Sequence, residues 1–101
     1  MINPTNQFMV DFTLPQELSR EFMDLIPFQR AVVDRYLSDG SLVNYALALE
    51  HAKLWAIFNA NSEMEVLEML TDFPLTPFMQ IEINELTSFS TAELSPAFSL
   101  N

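Results

Sequence analysis

The 101-residue chain has no cysteine, one glycine, one histidine and four fixed positive charges, and each shortage removes a class of chemistry. Without cysteine there is no disulfide, no thiol nucleophile and no zinc–cysteine site, a usage compatible with a reducing compartment. The lone glycine, Gly40, cannot build a phosphate-cradling loop, and the lone histidine, His51, falls short of the usual zinc sites. Neither a metal nor a cofactor is expected. With 4 basic and 14 acidic residues the net charge is −10, which works against nucleic acid and anionic membranes, since both need basic patches. No apolar run approaches the ~20 residues of a membrane span. The N-terminus lacks the basic start and apolar stretch of a signal peptide, so the cytoplasm is the expected compartment.

What the chain does contain is apolar periodicity. Phe8, Val10, Phe12 and Leu14 alternate with Met9, Asp11 and Thr13, and Met79, Ile81 and Ile83 alternate with Gln80, Glu82 and Asn84, the period of a strand with one covered face. From Leu14 to Gly40 the period becomes helical: Pro15 suits a first turn, Leu18, Phe22, Ile26, Val33 and Leu37 form a stripe, and Gly40 suits a left-handed C-terminal cap. Pro27 interrupts this helix and should kink or restart it. Ser41 to Leu49 and Ala52 to Phe58 read as strands joined by a tight turn around Glu50 and His51. Ser62 with Glu65 forms a capping box for a helix to Asp72, with Met64, Leu67, Leu70 and Val66 as its apolar residues. Pro74 and Pro77 then forbid its continuation.

Strand, helix, strand, strand, helix, strand is the ferredoxin-like βαββαβ order of an α+β fold: a four-stranded antiparallel sheet with two helices on one face. The whole chain is expected to be one domain, with Met1 to Asn6 frayed and Thr87 to Asn101 a tail that docks through Phe89, Leu94, Phe98 and Leu100. The second strand segment is apolar on both sides by simple alternation, with Val43, Tyr45, Leu47 and Leu49 facing one way and Leu42, Ala46 and Ala48 the other. A domain of this size hides only about 65% of its unfolded surface. The expected cover for the sheet's second face is therefore another copy of the chain, with Trp55 buried on a central strand.

Few residues can carry chemistry. His51 is the one side chain that titrates near neutrality unaided, and is either a general acid/base or a histidine exposed in a hairpin turn. Gln29 falls on the helical stripe, where a buried amide must be hydrogen-bonded; it is a structural bridge, a ligand contact, or a boundary residue reaching solvent. Arg20, Arg30, Arg35 and Lys53 are the fixed cations, of which Arg30, beside Gln29, and Lys53, on a central strand, are best placed to meet a ligand. Each can equally be a surface residue paired with an acid. Glu63, Glu65 and Glu68 belong to a solvated helix face.

Aligned without gaps from Gly40 to Leu86, the chain resembles muconolactone isomerases through Gly40, His51, Phe58, Ser62, Leu70, Pro74-Leu75, Pro77, Met79, Ile81-Glu82 and Leu86. The Pro-Leu-x-Pro-aromatic-Met stretch is the most specific of these. The resemblance implies a dimeric α/β barrel, a homodimer or higher oligomer, and proton transfer on an unsaturated lactone bearing a carboxylate, without metal or cofactor. It matches His51 to a family histidine and Arg35 to a basic position in the first helix. It also exposes departures: Gln29 stands where the family has an acid, and Leu42-Val43-Asn44-Tyr45-Ala46-Leu47 replaces a basic run rich in histidine and tryptophan. Two readings follow. One is a cofactor-free isomerase or lyase for a less anionic, hydrophobic carbonyl compound, with His51 as base, Gln29 and Tyr45 as polar contacts and Arg30 or Lys53 as electrostatic support. The other is a silent ligand-binding or assembly protein that kept the fold.

Overall fold

The computed structural model describes residues 6–90. Strand β1 spans Asn6–Thr13, helix α1 Arg20–Ser38, β2 Leu42–Ala48, β3 Lys53–Ala60, helix α2 Glu63–Leu70 and β4 Gln80–Glu85, with 3-10 turns at Leu49–His51 and Thr76–Phe78. The strands lie in the order β2-β3-β1-β4, every neighbour antiparallel, which is the ferredoxin-like α+β arrangement expected from the element order. Strand β1 is already paired at its first residue, Asn6 opposite Ala60. Most of the expected tail lies outside the described residues, but the chain leaves β4 tethered by the Leu86 N–H, which donates to the Gln7 carbonyl at 2.8 Å.

Alternation decides what each strand covers. Phe8, Val10 and Phe12 of β1 and Leu54, Ala56 and Phe58 of β3 are buried with Phe22, Val33 and Tyr36 of α1 and Val66 and Leu70 of α2, so both helices cover the same face. Phe73, just past α2, sits between layers with its ring edge-on to Tyr36 and Phe58, at centroid distances of 5.2 and 5.9 Å.

Several local expectations shift. Helix α1 begins later than Pro15 implies, because the Ser19 hydroxyl accepts from the Phe22 N–H at 3.1 Å and so caps the first turn. Its buried line is Phe22, Gln29, Val33 and Tyr36, while Ile26 and Leu37 are 43% and 37% exposed. In α2 the buried residues are Val66 and Leu70, and Met64 faces out. Its capping box closes one residue early: Ser62 accepts from the Glu65 N–H, and Glu65 accepts in return from the Asn61 N–H. Gly40 takes the left-handed conformation expected of it, with φ 84°. The turn around His51 reverses the chain with Ala52 at φ 55°, a left-handed residue that no glycine signals.

Simple alternation also fails in β2. A bulge between Leu42 and Asn44 lets Leu42 pair with Phe58 and Tyr45 with Ala56, which puts Leu42, Tyr45 and Leu47 together on the helical side. The Asn44 side-chain oxygen takes the Ile57 N–H at 3.1 Å, satisfying a donor beside the irregularity. The other sheet face carries Met9, Ala46, Trp55 and Ile57 among polar pairs, Gln7 with Asn59 and Lys53 with Asp11. Trp55 is half-buried there rather than buried, since central position in the sheet does not bring it under the helices.

Pro27 lies inside one continuous helix and does not restart it. It has no N–H for the Met23 carbonyl, yet both residues are on the exposed side, where water can donate instead. Proline in a helix interior is about 3 kcal/mol worse than alanine, partly offset by the stiffer unfolded chain. Pro27→Ala should therefore stabilise the fold by about 1–3 kcal/mol, read as a higher urea midpoint at unchanged slope.

Candidate functional site

The best-formed pocket opens between α1 and the edge of the sheet and holds about 270 Å³. Phe22 and Ile26 of α1, Leu14 and Leu18 of the segment leading into it, Tyr45, Leu47 and Leu54 of the sheet, and Leu49, Leu75 and Met79 line it, with Gln29 and Arg30 as its other polar members. Ile26, which fails to join the core, is thus part of a ligand-sized wall. A second hollow of about 420 Å³ beside Leu67, Phe73, Pro77 and Ile81 offers little to orient a ligand. The Thr71 and Thr76 hydroxyls there already donate to the Glu68 and Leu70 carbonyls.

Gln29 is the pocket's organising residue. It is 4% exposed, the one polar side chain buried among the described residues. Pro74 and Pro77 end α2 and turn the chain so that the Leu75 N–H donates to Gln29 Oε1 at 3.0 Å. A backbone N–H can only donate, so this bond fixes which end of the amide is oxygen. The opposite end, Gln29 Nε2, then donates to the Tyr45 hydroxyl at 2.9 Å. Tyr45 reaches this point because the β2 bulge turns it toward α1. Burial pushes its phenol above the ordinary 10.0, with the Gln29 amide and the Arg30 charge pulling the other way, so it is a neutral donor at physiological pH.

The other expected site residues are placed elsewhere. Arg30 stands at the rim, with its guanidinium 3.3 Å from Asp34 and both side chains largely exposed. Lys53 projects from the opposite sheet face, where Nζ meets Asp11 at 2.5 Å and the Thr13 hydroxyl at 2.9 Å. Period two explains the split: Leu54 faces the pocket, so its neighbour Lys53 faces away. His51 is exposed in the turn after β2 and is absent from the lining, although Leu49 of the same turn contributes to it. Arg35 stacks 5.3 Å over the Tyr36 ring and lies 3.6 Å from Asp72, to which the Tyr36 hydroxyl donates at 2.5 Å. Gln29, Arg30 and Tyr45 are brought together; His51 and Lys53 are not. Sequence reasoning missed the Leu75 amide, which carries no residue-type signal, and the pocket-forming role of Leu18 and Ile26.

Among the described residues no three His, Asp or Glu side chains cluster as a metal site, and no helix is long and apolar enough to cross a membrane. The site can bind an apolar molecule and direct one or two polar groups at it.

A family model for muconolactone delta-isomerase matches residues 7–92. Among solved structures, the crystal structure of muconolactone isomerase is similar to this chain with a TM-score of 0.68 at 22% identity, covering 88% of this chain and 96% of that one. That likeness carries the fold. No curated protein matches in sequence.

The raised phenols make a linkage prediction. Tyr36 and Tyr45 both hold their protons more tightly when folded, so their contribution is complete below the ordinary 10.0 and is lost as pH rises through the folded values. Stability should fall with pH above about 10, and Tyr45→Phe should flatten that fall, measured by urea unfolding across the alkaline range.

Proposed function

Because the chain belongs to the muconolactone delta-isomerase family, we propose that it is a cofactor-free isomerase or lyase acting by proton transfer on a small hydrophobic carbonyl or lactone compound bound between α1 and β2. The observation that carries this reading is the pocket itself, a ligand-sized apolar enclosure whose polar groups converge at Gln29 and Tyr45. The substrate's carbonyl oxygen is held by the Tyr45 hydroxyl. A base takes the proton from the γ-carbon of the α,β-unsaturated carbonyl compound, negative charge builds on the oxygen facing Tyr45, and return of the proton at the α-carbon, beside the carbonyl, completes the double-bond shift. Protons and electrons balance without any co-reactant.

His51 is the proposed base, on a turn that already gives Leu49 to the pocket wall. Its exposed position also favours a second reading, in which the chain binds such compounds without converting them. The substrate is proposed to be uncharged. A carboxylate entering this pocket meets only Arg30, whose charge is exposed and shared with Asp34, in a protein of net charge −10. We further propose a homodimer formed through the Met9, Trp55 and Ile57 face, working in the cytoplasm.

Two outcomes are expected. Purified protein should turn over muconolactone more than a hundredfold less efficiently than a neutral enone lactone of similar size, because an unpartnered desolvated carboxylate costs about 3–5 kcal/mol. His51→Ala should abolish the neutral reaction while leaving ligand affinity intact; undiminished turnover would remove His51 from the mechanism, and no turnover by wild type on any neutral lactone would leave the binding reading. Light scattering should give twice the mass of 11.6 kDa, and a well-folded monomer at micromolar concentration would sink the proposed dimer.

A further inference from the structure

We infer that the pocket selects its ligand by hydrogen-bond direction: the chain from the Leu75 N–H through Gln29 to Tyr45 leaves only a donor facing the cavity, so the ligand is an uncharged, largely apolar molecule presenting one acceptor oxygen. This rests on the pocket being the ligand site, as proposed above.

The direction is set far from the ligand. Leu75 N–H donates into Gln29 Oε1, so Gln29 Nε2 must point at Tyr45. That bond fills an acceptor position on the Tyr45 oxygen. The hydroxyl donates to no acceptor among the described residues, and the adjoining side chains of Leu47, Leu54, Leu75 and Met79 offer none. A phenol made harder to ionise by burial keeps that proton. A ketone, ester or lactone oxygen completes the chain, whereas a ligand N–H would meet a second donor. Gln29 is thus a positioning residue, acting through Tyr45.

Carboxylate at this position would do the opposite. It has acceptors only, so it would take the Leu75 N–H at one oxygen and the Tyr45 O–H at the other, turning the tyrosine lone pairs toward the cavity. Selectivity should then reverse with no change in pocket shape.

Three size-matched bicyclic probes separate the possibilities: 1-indanone accepts only, indole donates only, and indane does neither. Their affinities are measured by calorimetry, with binding located by NMR shifts of the Leu14, Leu54 and Leu75 methyls. Wild type should bind 1-indanone about fivefold to tenfold more tightly than indane or indole, the worth of one net hydrogen bond. Tyr45→Phe should erase that advantage and leave indane affinity unchanged. Gln29→Glu, at about pH 9 so that even a buried carboxyl is ionised, should favour indole over 1-indanone. Equal binding of all three to wild type, or a preference for indole, overturns the directional inference while the pocket stands as a ligand site. If none of the three, indane included, shifts the pocket methyls, the ligand-site reading fails and the inference with it.

Discussion

Three segments distant in sequence meet at one buried amide. The link after α2 brings a backbone N–H into the interior at Leu75, where an unpaired donor would cost about 1–3 kcal/mol, and Gln29 on α1 answers it. Having done so, the same side chain has only its N–H group left to offer, and Tyr45 on β2 receives it. Helix, link and edge strand are thereby held at fixed separations around a cavity that no backbone ladder closes. The Arg30–Asp34 pair, one residue away, is comparable in appearance and very different in weight. It is exposed at both ends, and such pairs contribute roughly 0–1 kcal/mol.

The sheet separates two roles by its pleat. One face carries the aromatic and aliphatic residues that pack under α1 and α2, together with the floor of the pocket. The other carries Trp55, Ile57 and Met9 between the Gln7–Asn59 and Lys53–Asp11 pairs. Adjacent residues Lys53 and Leu54 therefore belong to different sites, and charge on one has little access to a ligand beside the other. The bulge in β2 modifies this rule at the one place where it matters for binding. By shifting the pairing between Leu42 and Asn44 it aligns Tyr45 with the helical face, within reach of Gln29.

The polarity of the pocket follows from the amide at position 29. A carboxylate there could serve as an acceptor at both ends; an amide cannot, so the direction of hydrogen bonding in the pocket is tied to that one residue. The segment from Leu42 to Leu47 contains no charged residue and offers a surface suited to a neutral molecule. Membership of the family accordingly carries the fold further than it carries the substrate.

Element order, both alternating strands, the capping serine of α2 and the left-handed Gly40 were legible in the sequence, because each is dictated by residues within a few positions of one another. Gln29 stood out for the same local reason, an amide on an apolar stripe. Its partners did not, since Leu75 contributes a backbone group that every residue but proline possesses, and Tyr45 depends on a bulge that shifts alternation by one residue. The side of the sheet taken by Lys53, the exposure of His51 and the diversion of Ile26 from core to cavity wall were likewise settled only in three dimensions. Periodicity says that a face exists; which segments converge on it is decided by packing across the whole chain.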